Sequence, residues 1–199
     1  MIKNIVFDMG NVLLDFNPQF SLDRWCHSEE EKELIRRELF LAPEWLMADR
    51  GVIRDCDRYD RIKNRVPEEN RPALKACADH WADCMVPLPG AKEFVADCKA
   101  AGYKVYILSN ASDLFFTYFN NFSSLDWFDG AVISCQELLL KPETELYQRL
   151  FDRYHLKPEE CFFIDDREDN IRGGEALGMS GHVFHNDYPT IREKLGLRK

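Results

Sequence analysis

No apolar run in this sequence reaches the length of about 18 residues that a membrane-spanning helix requires. The apolar run in residues 1–8 is too short for a secretion signal and carries a carboxylate, so none is expected. Positive charge is not in excess: 26 Lys and Arg stand against 35 Asp and Glu, a formal net charge of -9. A general nucleic-acid binder carries a basic balance, so neither nucleic acid nor a membrane is an expected partner. A small anionic ligand is still compatible, because one local cation overrides the global sign. Cys-x-x-Cys pairs are missing too. The seven cysteines, Cys26, Cys56, Cys77, Cys84, Cys98, Cys135 and Cys161, are scattered and odd in number. This argues against a zinc site or disulfide framework and points to small buried thiols in a reducing, cytoplasmic setting. Internal repeats and low-complexity tracts are also absent.

What is present suits a folded, water-facing chain. Hydrophobic residues make up 45% and charged residues 31% of the 199. A chain of this size buries a core without help from metal or disulfides. Short apolar runs at 2–7, 103–108, 131–133, 161–164 and 181–184 read as strands buried on both faces. Helical stretches are expected at 91–101, 114–121, 143–154, 170–177 and 189–195. Strands alternating with helices predict an α/β fold with a parallel sheet. Gly102 and Gly178 stand where helix C-caps precede the next strand.

Residues 16–87 break this rhythm. They hold 12 basic and 15 acidic residues, denser in charge than the rest, and no strand-like run. Leu34, Ile35, Leu39 and Phe40 recur at helical spacing, as do Trp81 and Met85. Gly51, Pro67 and Pro72 punctuate the segment, and Pro87-Leu88-Pro89-Gly90 marks the return to strand and helix. The expected organisation is an α/β core of residues 1–15 and 88–199, with 16–87 as an inserted helical unit.

In an open parallel sheet, ligands bind beyond the carboxyl ends of the strands. The first strand runs into Asp8, the second into Ser109 and Asn110, the fourth into Asp165 and Asp166. Lys141-Pro142 precedes a helix. Singly, each is an ordinary turn former, cap or solvated charge. Together they bring carboxylates, a hydroxyl and an amine to one rim. Asp8, Asp165 and Asp166 in one pocket, with Asp169 nearby in sequence, repel one another and raise each other's pKa values. A hard divalent cation removes that cost. Mg²⁺ suits a shell of carboxylates and water shared with a substrate phosphate.

Asp8-Met9-Gly10-Asn11-Val12-Leu13, Ser109-Asn110, Lys141-Pro142 and Asp165-Asp166-Arg167-Glu168-Asp169-Asn170 resemble, in order, the four motifs of the haloacid dehalogenase-like hydrolase superfamily. Leu88-Pro89-Gly90 fits as well. The resemblance covers the whole chain if residues 16–87 are the small helical cap that follows the first motif. It implies a three-layer, Rossmann-like α/β core around a parallel sheet. It also implies that Asp8 is the nucleophile and a Mg²⁺ ligand, forming an aspartyl-phosphate that splits hydrolysis into two steps. The Gly10 carbonyl and Asp166 would complete the metal ligands from the protein, supported by Asp165. Ser109 and the backbone near Asn110 would bind phosphoryl oxygens. Lys141 would join the charges of nucleophile and phosphate. Asn170 stands where many relatives carry an acid. The implied reaction is a Mg²⁺-dependent phosphatase acting on a small phosphorylated metabolite. A sugar phosphate leads, because the Asp-x-Gly-Asn-Val start resembles a subgroup with bacterial α-glucose-1-phosphatases and the phosphatase domain of soluble epoxide hydrolases.

One departure bears on mechanism. Phosphatases of this family usually carry a second Asp two residues after the nucleophile, which protonates the leaving oxygen. Here that position is Gly10. Such acid–base help is typically worth about 10²–10⁴-fold. Three consequences compete: a substrate with an undemanding leaving group, a replacement acid such as Asp15 or Asp49, or poor catalysis. Two rival functions stand beside the phosphatase. A metal-independent 2-haloacid dehalogenase also uses an Asp nucleophile without the second acid, but Asp165 and Asp166 would repel its halide and carboxylate. The other rival is a weakly active or non-catalytic binding module. On the insert, Trp45, Asp49 and Arg50 are candidates for substrate contact, against helix packing and a solvated charge pair. Phe115 is placed near the rim, and the histidines show no ligand spacing.

Overall fold

A computed structural model describes residues 1–197. Its strands, in chain order, are β1 (Asn4–Phe7), β2 (Leu14–Asp15), β3 (Val86–Pro87), β4 (Lys104–Ser109), β5 (Gly130–Ile133), β6 (Cys161–Asp165) and β7 (Ser180–Val183). All four residues of β1 are buried. Successive side chains of a strand take opposite faces. Ile5 and Phe7 therefore enter one core and Val6 the other. Burial on both faces is the reason the run is apolar without alternation.

The main sheet has the order β5-β4-β1-β6-β7, every neighbouring pair parallel. The helices of this part are α6 (Ala91–Ala100), α7 (Phe115–Tyr118), α8 (Ser134–Glu137), α9 (Thr144–Tyr154), α10 (Glu168–Glu175) and α11 (Tyr188–Leu195). Phe94 of α6 and Ile191 of α11 join Ile5, Phe7, Val105 and Ile107 on one face. Leu146, Tyr147 and Leu150 of α9 and Ile171 of α10 join Val6, Leu108 and Phe163 on the other. Helix, sheet, helix is the expected three-layer, Rossmann-like arrangement. The sheet strands lie within two residues of their expected positions. The helix expected at 114–121 is shorter, α7 followed by a single turn at Phe119–Asn121. Gly102 and Gly178 follow α6 and α10 with φ of 89° and 91°. Of the cysteines expected to be buried, Cys56 is exposed and Cys84 and Cys135 are half-buried.

Between β2 and β3 lie α1 (Pro18–Trp25), α2 (Glu29–Ile35), a π-helical turn at Arg36–Phe40, α3 (Pro43–Asp49), α4 (Arg58–Ile62) and α5 (Arg71–His80). The β2–β3 ribbon is antiparallel, Leu14 opposite Pro87 and Asp15 opposite Val86. Two-residue strands carry no readable alternation, so this ribbon had no signal in the sequence. It makes the chain leave and re-enter the core side by side. No helix of the described residues is long and apolar enough to cross a membrane.

The segment after α3 is clamped to the loops beyond β4 and β5. Asp55 N donates to Asp113 Oδ1 at 2.9 Å, and Ser112 Oγ donates to Asp55 Oδ2 at 2.7 Å. Ser134 Oγ donates to the Asp49 carbonyl. Gly51 has φ of +82°, and a Cβ built on it would lie 2.1 Å from the Cys135 carbonyl oxygen. Only glycine allows both the backbone conformation and this approach. Gly51→Ala is expected to lower stability by on the order of 2–4 kcal/mol in urea unfolding, because backbone meets backbone and neither yields cheaply.

Candidate active site

β1 lies between β4 and β6, where the strand order reverses, so the crevice beyond its carboxyl end is the natural ligand position. Asp8 N donates to the Ile164 carbonyl at 2.8 Å, extending the pairing one residue beyond β1. The chain then turns sharply, with the Met9 carbonyl accepting from the N–H groups of Leu13 and Leu14 at 2.8 and 2.9 Å. This turn presents Asn11 at φ 56°. Asn11 Nδ2 donates to Asp166 Oδ2 at 3.0 Å, and its Oδ1 accepts from Phe16 N at 3.0 Å.

Lys141 enters from the loop before α9. Asn110 holds its backbone from both sides, accepting from Lys141 N at 2.8 Å and donating to the Lys141 carbonyl at 3.0 Å. The ammonium donates to the Leu108 carbonyl at 2.9 Å and to Asp165 Oδ2 at 2.7 Å. It also lies 2.8 Å from Asp8 Oδ1. That last contact is electrostatic rather than directed, since Asp8 Oδ1 receives no well-aligned hydrogen bond. Asp165 is fully engaged: Arg167 N donates to Oδ1 at 2.8 Å, and Asn170 Nδ2 reaches both oxygens at 2.9 and 3.0 Å. Asn170 thus orients Asp165.

Burial pushes the Asp8 carboxyl up to about 7, against the pull of Lys141 and with help from Asp165 and Asp166. Burial alone would lower the Lys141 ammonium, but Asp165 and Asp8 outweigh it and hold it above its usual value. One cation faces three carboxylates, Asp8, Asp165 and Asp166, whose ligand-capable atoms all lie within 4.8 Å of one another. A donor set made only of oxygen, convergent and with surplus negative charge, fits a hard divalent cation. Because Asp165 is already satisfied by hydrogen bonds, Asp8 and Asp166 are the better-placed direct ligands.

The chain matches the family described as haloacid dehalogenase-like hydrolase over residues 2–178. It belongs to that family. Among curated proteins it is similar to a sesquiterpene phosphatase of Aspergillus oryzae, 26% identical over 192 residues, 96% of this chain and 94% of that one. Among solved structures it resembles a haloacid dehalogenase family enzyme of Bacteroides thetaiotaomicron in complex with magnesium and inorganic phosphate. The TM-score is 0.70 at 25% identity, covering 92% of this chain and 94% of that chain. It also shares its fold with an L-2-haloacid dehalogenase of Xanthobacter autotrophicus, TM-score 0.68 at 22% identity, covering 91% and 76%. One fold thus carries both a phosphate-bound and a dehalogenating member, so for this haloacid dehalogenase-like hydrolase the choice of reaction rests on the site.

A cavity of about 610 Å³ opens above the carboxylates. Its core side presents Asp8, Gly10, Asn110, Lys141, Asp166 and Asn170. Its other side presents Phe16, Phe40, Leu41, Trp45, Leu46 and Asp49. Ser109, 1% exposed, ends β4 opposite Ile133 and lies behind this wall, while Asn110 is part of it. Trp45 is wrapped by Phe16, Phe40 and Trp81, with ring centroids 5.5, 5.2 and 4.9 Å away, and by the Arg58 guanidinium at 3.8 Å. It is a packed wall residue rather than an open platform.

Asp49 and Arg50 are not a solvated pair. Asp49 is buried 3.6 Å from Arg58, while Arg50 bonds to Glu143 and to the Leu138 carbonyl. Asp15 sits in the β2–β3 ribbon, outside the cavity walls. Phe115 is fully buried against Phe119 and Tyr118, away from the rim. Sequence reasoning missed Arg58, wholly buried among two acids and two tryptophans. The i, i+3 spacing of Asp55 and Arg58 was visible, but nothing marked it among the insert's other charges. It also missed the support that Asn11 lends to Asp166.

Proposed function

We propose that this chain is a Mg²⁺-dependent phosphatase of a small phosphorylated metabolite, working through an aspartyl-phosphate on Asp8. The observation that carries the reading is the buried group of Asp8, Lys141, Asp165 and Asp166 on the floor of an open cavity. Three carboxylates against one ammonium suit a divalent cation and, with it, a phosphate dianion. The residues holding Mg²⁺ would be Asp8 and Asp166, joined by the Gly10 carbonyl, with Asp165 supporting them. Bound there, Mg²⁺ supplies positive charge that offsets the nucleophile and the phosphoryl oxygens. Asp8 Oδ attacks phosphorus, and Lys141 keeps that carboxylate and the incoming phosphate together. Asn110 fixes Lys141, and the backbone near Asn110 bonds phosphoryl oxygens, while Ser109, expected from the sequence to do so, sits behind the cavity wall. Such positioning and charge neutralisation are most of what phosphoryl transfer needs. Residues 16–87 serve as the cap and supply the wall that meets the leaving group.

The same carboxylates speak against a dehalogenase, whose halide and carboxylate they would repel. They also speak against a binding module, since a retired site has no reason to keep like charges buried. The sugar phosphate expected from the sequence finds few partners on the cap wall, where Asp49 is the one carboxylate among Phe16, Phe40, Leu41, Trp45 and Leu46. A phosphate ester of an aromatic or aliphatic alcohol suits that wall better, in keeping with the similarity to a sesquiterpene phosphatase. The test is a screen of aryl, alkyl and sugar phosphates, scored by phosphate release with Mg²⁺ and again with EDTA, beside 2-chloropropionate scored by halide release. Phosphate release that EDTA abolishes is expected. Halide release in EDTA would overturn the reading.

Metal should also act on stability. Asp8 and Asp49 both rise from 3.8 to about 7 on folding, so the folded state holds protons that the unfolded state has released. Their contribution is present in acid and is lost as pH rises through about 7. Protons compete with Mg²⁺ for Asp8 in acid, so one fixed Mg²⁺ concentration is expected to raise the Tm more at about pH 8 than at about pH 5. A hundredfold excess over Kd corresponds to roughly 2.7 kcal/mol of stabilisation. Equal shifts at both pH values, read by differential scanning calorimetry, would contradict this.

A further inference from the structure

We propose that Asp49 is the acid–base residue of this site, giving a proton to the leaving oxygen and then taking one from the attacking water. The proposal rests on the phosphatase reading. An in-line displacement puts the attacking oxygen and the leaving oxygen on opposite sides of phosphorus. With Asp8 attacking from the core floor, the proton donor belongs on the facing wall. The side-chain carboxylates on the cavity walls are Asp8, Asp49 and Asp166. Asp166 is held by Asn11 within the acidic group, so Asp49, at the end of α3, is the one left for proton transfer.

The surroundings of Asp49 suit a group that cycles between two charge states. Its nearest cation, Arg58, lies 3.6 Å away but only 3.0 Å from Asp55. Asp55 in turn accepts from Ser112 Oγ at 2.7 Å and Trp81 Nε1 at 3.2 Å, which holds it as the standing counter-ion of Arg58. Arg58 therefore has a partner whether or not Asp49 is charged. Burial among aromatic walls raises the proton affinity of Asp49, opposed by Arg58 and by the Ser112 backbone, and supported by Asp55 and Asp8, up to about 7. Tyr118 and Cys135 also face it, and burial keeps both in their neutral forms. The helix end is anchored, since Ser134 bonds the Asp49 carbonyl and Gly51 lies against Cys135.

The steps balance. Asp8 Oδ forms a bond to phosphorus as the phosphorus–ester oxygen bond breaks, and that oxygen takes the bond pair and the Asp49 proton, leaving as an alcohol. Water oxygen then bonds to phosphorus while its proton passes to the Asp49 carboxylate. The phosphorus–Oδ bond breaks with its pair returning to Asp8. Phosphate departs and both carboxyl groups are restored.

The experiment uses the Mg²⁺-loaded full chain with p-nitrophenyl phosphate, whose phenol leaves unassisted, and phenethyl phosphate, whose alcohol does not. Because kcat/KM reports only steps through phosphoenzyme formation, Asp49→Asn should lower it about 10²–10⁴-fold for phenethyl phosphate and far less for p-nitrophenyl phosphate. Loss of the base should also slow phosphoenzyme breakdown, giving a burst of nitrophenol stoichiometric with enzyme. Equal losses on both substrates without a burst would mean that Asp49 only completes the Arg58 cluster, and would overturn the proposal. If Asp49→Asn does not fold, the parent decides. Its kcat/KM for phenethyl phosphate should fall above about pH 7 while that for p-nitrophenyl phosphate does not. A shared pH profile would overturn it. A parent that hydrolyses neither ester overturns the phosphatase reading itself.

Discussion

Asp8→Asn is expected to remove turnover by on the order of 10⁴–10⁶-fold while leaving the fold intact. The amide is nearly the same shape as the carboxylate but is not a nucleophile, so no aspartyl-phosphate forms. The structural cost is small for a reason visible in the site. Asp8 is one of three clustered carboxylates, and Lys141 keeps Asp165 at 2.7 Å and the Leu108 carbonyl at 2.9 Å when Asp8 is neutral. Burial already disfavours the charged form of Asp8. In metal-free protein at about pH 8, the Asn variant should therefore be no less stable than the parent. With Mg²⁺ the order should reverse, since a ligand has been lost. Rapid quench in acid should trap phosphate on the parent and none on the variant. Parent-like phosphate release by Asp8→Asn would end the proposed mechanism.

Lys141→Met should cost about 3–5 kcal/mol of stability, the usual price of leaving buried charges without their partner. The side chain keeps its approximate volume, so packing is nearly conserved. What goes is the ammonium between Asp8 Oδ1 at 2.8 Å and Asp165 Oδ2 at 2.7 Å, neither open to solvent. Removing the ammonium takes away the pull that opposes burial at Asp8, so its folded-state pKa, already raised, rises further. Such a group binds more protons when folded, so the deficit is smallest in acid and grows as pH rises. Urea unfolding at several pH values measures this directly. A deficit independent of pH would show that Lys141 acts through shape and not charge. Activity should fall with stability, and added Mg²⁺ should recover part of the stability because it supplies replacement charge.

Much of this was legible in the chain for a simple reason. Strands buried on both faces have to be continuous apolar runs, so β1, β4, β5, β6 and β7 announce themselves. The residues beyond three of them are polar because the strands end at a ligand crevice. Asp8, Ser109, Asp165 and Asp166 could be read as one set before any fold was known, and the structure does bring Asp8, Asp165, Asp166 and Lys141 together. The Gly10 gap was equally plain, and it directed attention to Asp15 and Asp49 as alternatives.

The choice between those two was not legible. Asp15 and Asp49 are both acids in polar stretches, and only the packing of α3 over the strand ends puts Asp49 in the cavity wall and leaves Asp15 in a ribbon. Arg58 has the same character. Nothing in its composition separates it from the exposed arginines of the insert, yet it is wholly enclosed by Asp49, Asp55, Trp45 and Trp81. Asn110 could be read as a phosphate binder and is found holding the Lys141 backbone, a contact between residues 31 apart in the chain. Local pattern reports what a residue needs from its own strand or helix: burial, period, a cap. It does not report which distant segment arrives to meet it. The sequence alone therefore determined the α/β core and the identity of the acidic group. Tertiary packing decided how that group is held, and which carboxyl of the insert faces it.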